Sequence, residues 1–188
     1  MEKMMQTEII ISGFGGQGVL FAGQLLAYCA LDNKKEVTWF PSYGPEMRGG
    51  TAHCTVIISE EEIGSPVVKN PTAVIVMNLP SLDRYESEVK PGGLLVVNSS
   101  LVDRSPQRKD IDILEVPSNK IAEELGERRL GNLVLIGALL QRLPIFTIKQ
   151  IGIALEKHIP GRHREMLKLN IAALECGFQL AEGLLIKN

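Results

Sequence analysis

"IIISGFGGQGVLFAG", residues 9–23, joins two apolar runs through a cluster of glycines. The first run, residues 8–12, predicts a buried strand, and residues 19–31 predict a helix packed on a sheet. Three glycines match the pattern G-x-G-x-x-G, and one more lies between them: Gly13, Gly15, Gly18 and Gly16. Glycine lets the backbone turn sharply and lets a ligand approach its N–H groups, while the following helix directs the positive end of its dipole at the turn. The stretch therefore predicts a strand–turn–helix unit suited to an anion.

The rest of a dinucleotide signature is missing after this turn. A dinucleotide-binding fold places an acidic residue about 20 positions further on, at the end of the second strand. Here the second strand is predicted over residues 37–40 and is stopped by Pro41, so that Glu36 precedes it. No GK[ST] follows the glycines either, which excludes a P-loop. Two other interpretations stay open: a tight turn for close helix packing with Gln17 exposed at its tip, or a turn facing an anionic ligand shared with another subunit.

A second distinctive segment is "SYGPEMRGG", residues 42–50. It follows the second strand, so in a parallel sheet it lies at the same carboxyl edge as the glycine turn. Arg48 either pairs with Glu46 inside the segment or binds an anionic partner. Tyrosine and arginine are also frequent anchors of protein–protein contacts. The two segments together predict one rim of residues that bind a cofactor, a partner subunit or both: Gly13, Gly15, Gly16, Gln17, Gly18, Tyr43, Glu46, Arg48 and Gly49.

The remaining pattern alternates strands and helices and then becomes helical. Further strands are predicted over residues 51–59, 73–78, 94–98 and 111–116, the first of them antiparallel because its connection is too short for a crossover. Helices are predicted over residues 81–89, 133–143 and 162–184. Another helix begins at Ser118, which is its predicted N-cap, and one runs from a Thr147–Gln150 capping box to His158. We expect one α/β domain over residues 1–188, with three α/β/α layers, a mostly parallel but mixed sheet and a helical C-terminal third.

The composition of the chain disfavours several classes of function. The 188 residues carry a formal net charge of −2, which disfavours a nucleic-acid face, and no apolar run is long enough for a membrane span. We expect a cytoplasmic protein that binds neither nucleic acid nor membrane. The cysteines, Cys29, Cys54 and Cys176, are far apart, so we expect no metal site or iron–sulfur cluster in this chain.

No pair of residues predicts a catalytic nucleophile and base. His53 lies alone in a strand, where a histidine is more often packed or hydrogen-bonded than catalytic. Asn132 precedes an apolar helix and either caps it or reaches the rim. The residues alone thus predict a phosphate-binding fold without a catalytic set, and leave open a freestanding nucleotide-binding protein or a homo-oligomeric structural protein.

Three stretches together resemble one family: "GFGGQGV" (13–19), "FPSYGPEMRGGTAHCTVIIS" (40–59) and "GNLVLIGALL" (131–140). They are similar to the gamma subunit of the 2-oxoacid:ferredoxin oxidoreductases, which corresponds to domain III of the single-chain pyruvate enzymes. The resemblance covers about residues 6 to 183. The glycine motif is weak by itself, and the motif together with SYGPEMRGG at this spacing is specific.

The resemblance implies a multi-subunit enzyme that oxidatively decarboxylates a 2-oxoacid with coenzyme A and reduces ferredoxin. It implies thiamine diphosphate and Mg²⁺ between alpha and beta subunits, and iron–sulfur clusters in the beta subunit and a ferredoxin-like delta subunit or domain. The gamma subunit is then a non-catalytic partner that helps to shape the coenzyme A site. A homodimer of the isolated chain stays open.

SYGPEMRGG is similar to the 2-oxoglutarate branch of the family, whereas pyruvate-type subunits resemble FGxERRGAP at this point. The 2-oxoisovalerate and indolepyruvate enzymes, which have related folds, remain alternatives.

Overall fold

A computed structural model describes residues 6–42, 51–159 and 161–185. The strands are β1 (Thr7–Phe14), β2 (Glu36–Ser42), β3 (Thr51–Ser59), β4 (Ala73–Val76), β5 (Leu94–Asn98) and β6 (Asp112–Val116). The helices are α1 (Val19–Asp32), α2 (Leu79–Tyr85), α3 (Ser118–Glu124), α4 (Gly131–Arg142), α5 (Ile148–His158) and α6 (Leu167–Leu185). Short 3₁₀ turns cover Glu86–Glu88, Arg128–Leu130 and Gly161–Met166.

Within the described residues, the six strands form one sheet in the order β2-β3-β1-β4-β5-β6. β3 is antiparallel to both of its neighbours, β2 and β1, and the other pairs are parallel. The predicted mixed, mostly parallel sheet and the antiparallel second pair are confirmed. β1 and β2 consequently point the same way, and their carboxyl ends lie at one edge of the sheet.

Helices cover the two faces of the sheet unequally. On one face, Ile9 and Ile11 of β1 belong to a large apolar core that includes α1, α4, α5 and α6. On the other face, Ile10 packs with Leu82 and Tyr85 of α2 in a smaller core. The alternation of side chains along a strand produces this division, because successive residues point to opposite faces. The structure confirms the predicted α/β fold and its helical C-terminal third.

Two glycines set the distance between α4 and α6. A Cβ atom on Gly137 would fall on the carbonyl oxygen of Leu174, and one on Gly177 would fall on the carbonyl oxygen of Val134. Backbone cannot move aside as a side chain can, so glycine is required at both positions. The close pair of helices fixes where the N-terminus of α4 lies relative to the sheet.

Three local expectations from the sequence are corrected by the structure. Pro41 does not end the second strand but lies inside β2, paired with Cys54, and an edge strand tolerates proline because one side of its backbone is unpaired. Ser118 is not the N-cap of α3: Pro117 takes that position, without a side-chain cap. The helix predicted from residue 133 begins at Gly131, so Asn132 lies inside α4. The Thr147–Gln150 capping box is confirmed.

Among the described helices, none is both long enough and apolar enough to cross a membrane.

Candidate ligand-binding site at the carboxyl edge of the sheet

The glycine turn that follows β1 depends on two left-handed residues. Gly16 has φ +95° and Gly18 has φ +75°, a region that side chains with a Cβ atom disfavour. Gly18 is the N-cap of α1, and its carbonyl accepts from the N–H of Ala22 at 2.9 Å. The backbone N–H groups before Ala22, at the start of α1, have no partner within the helix. The turn therefore presents the positive end of α1 to the edge of the sheet.

The side chain of Gln17 holds the turn against the neighbouring strand. Its Oε1 accepts from the N–H of Phe14 at 2.6 Å, and its Nε2 donates to the carbonyl of Met77 at 3.2 Å. The expectation that Gln17 is exposed at the tip of the turn is wrong, because its amide pairs with the backbone of β1 and of the residue directly after β4, and the side chain is half-buried. Gln17 therefore shapes the turn.

The other glycines of the motif differ in their roles. A Cβ atom on Gly13 would lie 2.6 Å from Gln17 Oε1 and 2.9 Å from Met77 Cβ, so this glycine permits close packing. A Cβ on Gly18 would fall on the side-chain nitrogen of Asn132, whereas one on Gly16 would meet nothing within 4 Å. Gly15 and Gly16 are both exposed. Gly16 is thus the motif residue with open space beside it.

The glycine turn lies where the connections of the sheet change direction. β1 continues through α1 on one face, and its parallel neighbour β4 continues through α2 on the other face. In open α/β sheets, ligands bind in the crevice at this position, beyond the carboxyl ends of the strands. The topology thus points to the space beside Gly16 and Met77.

A cavity of about 210 Å³ occupies this space. It is lined by Gly16, Gln17, Met77, Asn98, Ser118, Asn119, Arg128, Arg129, Gly131, Asn132 and Leu135. Two of these residues are arginines, and none of the lining residues is a carboxylate. The N-terminus of α4 also begins in the cavity wall at Gly131. The composition favours an anionic ligand.

We call the 210 Å³ cavity the anion crevice. The hydroxyl group of Ser118 lies in its wall without a hydrogen-bond partner. The Ser118 side chain is fully buried, and its Oγ has no hydrogen-bond partner among the described residues. Buried hydroxyl groups are nearly always paired, so an orphan one at a cavity wall indicates a missing ligand or water. The neighbouring amides are already occupied: Asn98 Nδ2 donates to Asn119 Oδ1 at 2.9 Å, and Asn132 Nδ2 donates to the carbonyl of Gly18 at 3.1 Å.

The two arginines of the crevice are held in exposed ion pairs. Arg128 lies 2.8 Å from Glu123, and Arg129 lies 2.8 Å from Glu127. Hydrogen bonds from the side chain and backbone N–H of Arg129 lower the pKa of Glu127 to about 2. Ion pairs this exposed contribute little to stability, so a multiply charged anion can replace either carboxylate beside its arginine with little loss of free energy.

A larger cavity of about 580 Å³ adjoins the crevice and shares Gly16, Arg129 and Asn132 with it. Its walls come from α1, α4, α5 and α6 and from the segments that flank these helices. They are mainly apolar: Phe21, Leu25, Leu133, Leu155, Ile159 and Met166. Tyr28, His158, Asn170 and the carboxylate Glu127 add polar atoms. The two cavities therefore lie next to each other, on either side of these shared residues.

The structure separates the predicted site residues into two groups. The glycine turn and Asn132 lie at the site. Asn132 was predicted either to cap a helix or to reach the rim, and it reaches the rim through its hydrogen bond to the carbonyl of Gly18. Tyr43, Glu46, Arg48 and Gly49 lie outside the described residues. The strands on either side of them end at the same edge, since Phe14 pairs with Thr51 and Ser42 pairs with His53.

His53 lies away from the crevice, on the α2 face of the sheet. Its ring is 5.9 Å from the ring of Tyr85, and burial, assisted by Arg84, lowers the pKa of His53. The side chain packs as a neutral aromatic group. Within the parts of the chain that the structure describes, no three histidine, cysteine or carboxylate side chains are grouped to hold a metal ion.

Sequence reasoning did not identify Ser118, Arg128 or Arg129 as site residues. The adjacent arginines directly before "GNLVLIGALL" are a usable signal, because basic residues beside a helix N-terminus favour anion binding. The orphan hydroxyl of Ser118 becomes visible only in three dimensions.

Comparison with known proteins identifies relatives along nearly the whole chain. The family model described as pyruvate ferredoxin/flavodoxin oxidoreductase matches residues 8–180. The 2-oxoglutarate synthase subunit KorC of Methanocaldococcus jannaschii is 34% identical over 184 residues, which cover 96% of both proteins. The ketoisovalerate oxidoreductase subunit VorA of Methanothermobacter thermautotrophicus is 34% identical over 177 residues, which cover 94% of this chain and 36% of VorA. The chain thus spans about a third of the length of the VorA relatives that it matches.

Two solved structures share the fold. The gamma subunit of a keto/oxoacid ferredoxin oxidoreductase from Geobacter sulfurreducens superposes with a TM-score of 0.83 at 28% identity, over 95% of this chain and 98% of that one. The 2-oxoglutarate:ferredoxin oxidoreductase from Magnetococcus marinus, solved with 2-oxoglutarate, coenzyme A and succinyl-CoA bound, superposes with a TM-score of 0.85 at 25% identity. That match covers 97% of this chain and 32% of the Magnetococcus chain.

Proposed function

The chain belongs to the pyruvate ferredoxin/flavodoxin oxidoreductase family, and from this premise we propose that it is the gamma subunit of a 2-oxoacid:ferredoxin oxidoreductase. The complete enzyme converts a 2-oxoacid and coenzyme A to acyl-CoA and CO₂ and reduces ferredoxin. Alpha, beta and ferredoxin-like delta partners supply thiamine diphosphate, Mg²⁺ and the iron–sulfur clusters. This chain contributes a binding surface and no reacting group of its own.

2-Oxoglutarate is the proposed substrate of the complex. Support comes from the full-length similarity to KorC and from the superposition on the Magnetococcus enzyme, and the SYGPEMRGG segment agrees with both. The identity of 34–38% to the VorA subunits keeps 2-oxoisovalerate as the alternative substrate. Pyruvate and indolepyruvate are weaker alternatives, since the relatives named for them are 28% identical.

The proposed task of this subunit is to hold phosphate groups of coenzyme A in the anion crevice. The observation that carries this proposal is the orphan hydroxyl of buried Ser118, in a cavity lined by two arginines and no carboxylate. Gly16 leaves room for the ligand, and the N-termini of α1 and α4 add positive potential. Each charge-assisted hydrogen bond of this kind is worth about 1.5–3 kcal/mol, so the set is sufficient to position a diphosphate.

Kinetics of the assembled complex test this role. We expect Ser118→Ala and Arg129→Leu to raise the KM for coenzyme A about tenfold each and to leave kcat near the wild-type value, because the lost contacts are uniform binding contacts. Arg84→Leu is the matched control, since Arg84 is an exposed arginine in an ion pair on the other face of the sheet. An unchanged KM in both site variants would contradict the proposal.

Arg48 is a further proposed contact of the rim, based on the sequence alone. We expect Arg48→Ala to weaken assembly or to raise the KM for coenzyme A. If the purified variant complex keeps wild-type assembly and a wild-type KM for coenzyme A, Arg48 is not a contact of the rim.

A further inference from the structure

Within the described parts of the chain, helices cover β2 and β3 on only one of their two faces. On the face of the large core, α1 packs on both strands, and Cys54 and Val56 of β3 are fully buried. On the other face, α2 packs on β1 and β4 and only borders β3, where the ring of Tyr85 lies 5.9 Å from that of His53. Six exposed or half-exposed side chains lie together there, because residues that pair directly across strands share a face. We call them the open sheet face: Thr38, Phe40, Ser42, Thr51, His53 and Thr55.

Phe40 lies in the middle of the open sheet face. Its side chain is 62% exposed, it pairs across the strands with Thr55, and Thr38 and Ser42 flank it along β2. The other members carry hydroxyl groups, apart from His53, whose ring burial keeps neutral by lowering its pKa. The open sheet face thus combines an exposed aromatic ring with an absence of charged side chains. Aromatic residues are enriched and charged residues depleted at the centres of protein interfaces, so this composition indicates a surface that a partner covers.

The face of β2 suits a partner better than its free edge does. Pro41 lies within this strand and has no backbone N–H to offer to an added strand. Neighbouring strands are about 4.8 Å apart, so two of them span about 10 Å, which is also the width of an α-helix with its side chains. One helix can therefore cover the open sheet face beside α2, as in a complete three-layer domain.

The lengths of the relatives indicate where such a helix comes from. The matched region makes up 36% of VorA from Methanothermobacter thermautotrophicus and 32% of the Magnetococcus chain, so in both the remaining two thirds are covalently joined to this domain. In KorC the match covers 96% of the protein, so there the same domain is a chain by itself. Where the covalent link is missing, a noncovalent surface has to hold the domain to its partner.

We infer that the open sheet face binds one helix, apolar on the side that meets Phe40, from the partner subunit that corresponds to the rest of the VorA chain. The inference rests on the proposed function, because it names the surface by which this chain joins the complex. Full burial of a phenylalanine side chain strengthens association by about tenfold to a hundredfold. An aspartate at the same place would be buried against apolar side chains without a counter-ion, so it weakens the contact further than truncation does.

Isolation of the complex from the native host tests the inference with three tagged chains: wild type, Phe40→Asp and Ile153→Asp. Ile153 is the matched control, because it is 52% exposed and lies on α5, which belongs to the opposite face of the sheet. The partner subunit is identified and quantified by peptide mass, through its similarity to the part of VorA that this chain does not match. We expect Phe40→Asp to retain at least about tenfold less of it than wild type, and Ile153→Asp to retain the wild-type amount.

Photochemical cross-linking locates the contact without a charge change. Phe40 is replaced by the photoreactive analogue benzoylphenylalanine in the full complex, and the same replacement at Ile153 is the control. We expect the analogue at position 40 to attach to one helical segment of the partner subunit, and the analogue at position 153 to leave that segment unmodified.

The outcomes separate this surface from the proposed function. If the wild-type chain purifies without partner subunits, both are refuted. If the wild-type complex forms and Phe40→Asp retains the partner, or loses it no more than Ile153→Asp does, the open sheet face is refuted as the docking surface and the subunit role stands. A cross-link from position 40 to a second copy of this chain, or no cross-link in an intact complex, also refutes the docking surface, and this result decides the question even if Phe40→Asp does not fold.

Discussion

Substituting Gly18 by alanine tests whether the glycine turn is built around Asn132. The left-handed φ of +75° costs a residue with a Cβ atom about 1–2 kcal/mol. The new Cβ also falls on the Asn132 side-chain nitrogen, and overpacking of this kind costs about 1–3 kcal/mol. We therefore expect Gly18→Ala to lower the free energy of unfolding by about 2–5 kcal/mol.

The contact between Gly18 and Asn132 predicts that substitutions at the two positions are energetically coupled. Asn132→Ala alone removes the hydrogen bond to the Gly18 carbonyl and is expected to cost about 1–2 kcal/mol. In the double variant the Cβ introduced by Gly18→Ala meets no amide, so the overpacking cost is relieved. The double variant is then about 1–3 kcal/mol more stable than the sum of the single effects predicts.

Urea unfolding of the four proteins gives the coupling energy directly, provided that the slope m stays constant. Gly16→Ala is the control, because Gly16 also has a positive φ but has open space where its Cβ would lie. Its effect is expected to add to that of Asn132→Ala. Additive effects of Gly18→Ala and Asn132→Ala, within about 0.5 kcal/mol, would refute the account of the turn.

Three further predictions concern the framework of the fold. Gly177→Ala places a Cβ on a backbone carbonyl of α4 and is expected to destabilise the protein by about 2 kcal/mol or more in thermal unfolding. Gly152→Ala is the comparison: its Cβ would lie 3.7 Å from a side chain, so the melting temperature is expected to rise slightly. Burial raises the pKa of Asp32, but hydrogen bonds from Lys157 and His158 outweigh it and hold the pKa below its usual 3.8. The stabilisation by Asp32 is therefore present above pH 3.8 and lost as the pH falls through the lowered value, and the deficit of Asp32→Asn in urea unfolding shrinks in acid. Burial raises the pKa of Cys54 to about 12, so alkylation at neutral pH should modify half-buried Cys176 and spare Cys54; rapid modification of Cys54 in the folded chain, detected by peptide mass, would contradict the packing.

The sequence was sufficient for the parts of the fold that depend on local patterns. Apolar runs rich in β-branched residues located every strand, and Thr147 with Gln150 located the start of α5. The glycine spacing located the turn after β1, because positive φ angles at Gly16 and Gly18 are a local requirement of the backbone. These features are encoded within a few residues of each other.

The sequence was insufficient where distant segments meet. Gln17 was expected in solvent, since its partner Met77 follows β4 and is far away along the chain. Ser118 was expected to cap a helix, but its backbone is already helical, and its hydroxyl instead faces a crevice formed by other segments. Tyr28, His158 and Asn170 come together only because α1, α5 and α6 pack on one face of the sheet.

Isolation from the native host without oxygen tests the claim that this chain works as one subunit of a coenzyme A-dependent oxidoreductase. The chain is tagged and purified gently, and the mass, the visible spectrum and the reduction of ferredoxin are recorded. We predict a large complex with iron–sulfur absorbance that reduces ferredoxin only when 2-oxoglutarate and coenzyme A are both present. A colourless particle that contains this chain alone would contradict the claim, and activity with a different 2-oxoacid alone would contradict the proposed substrate.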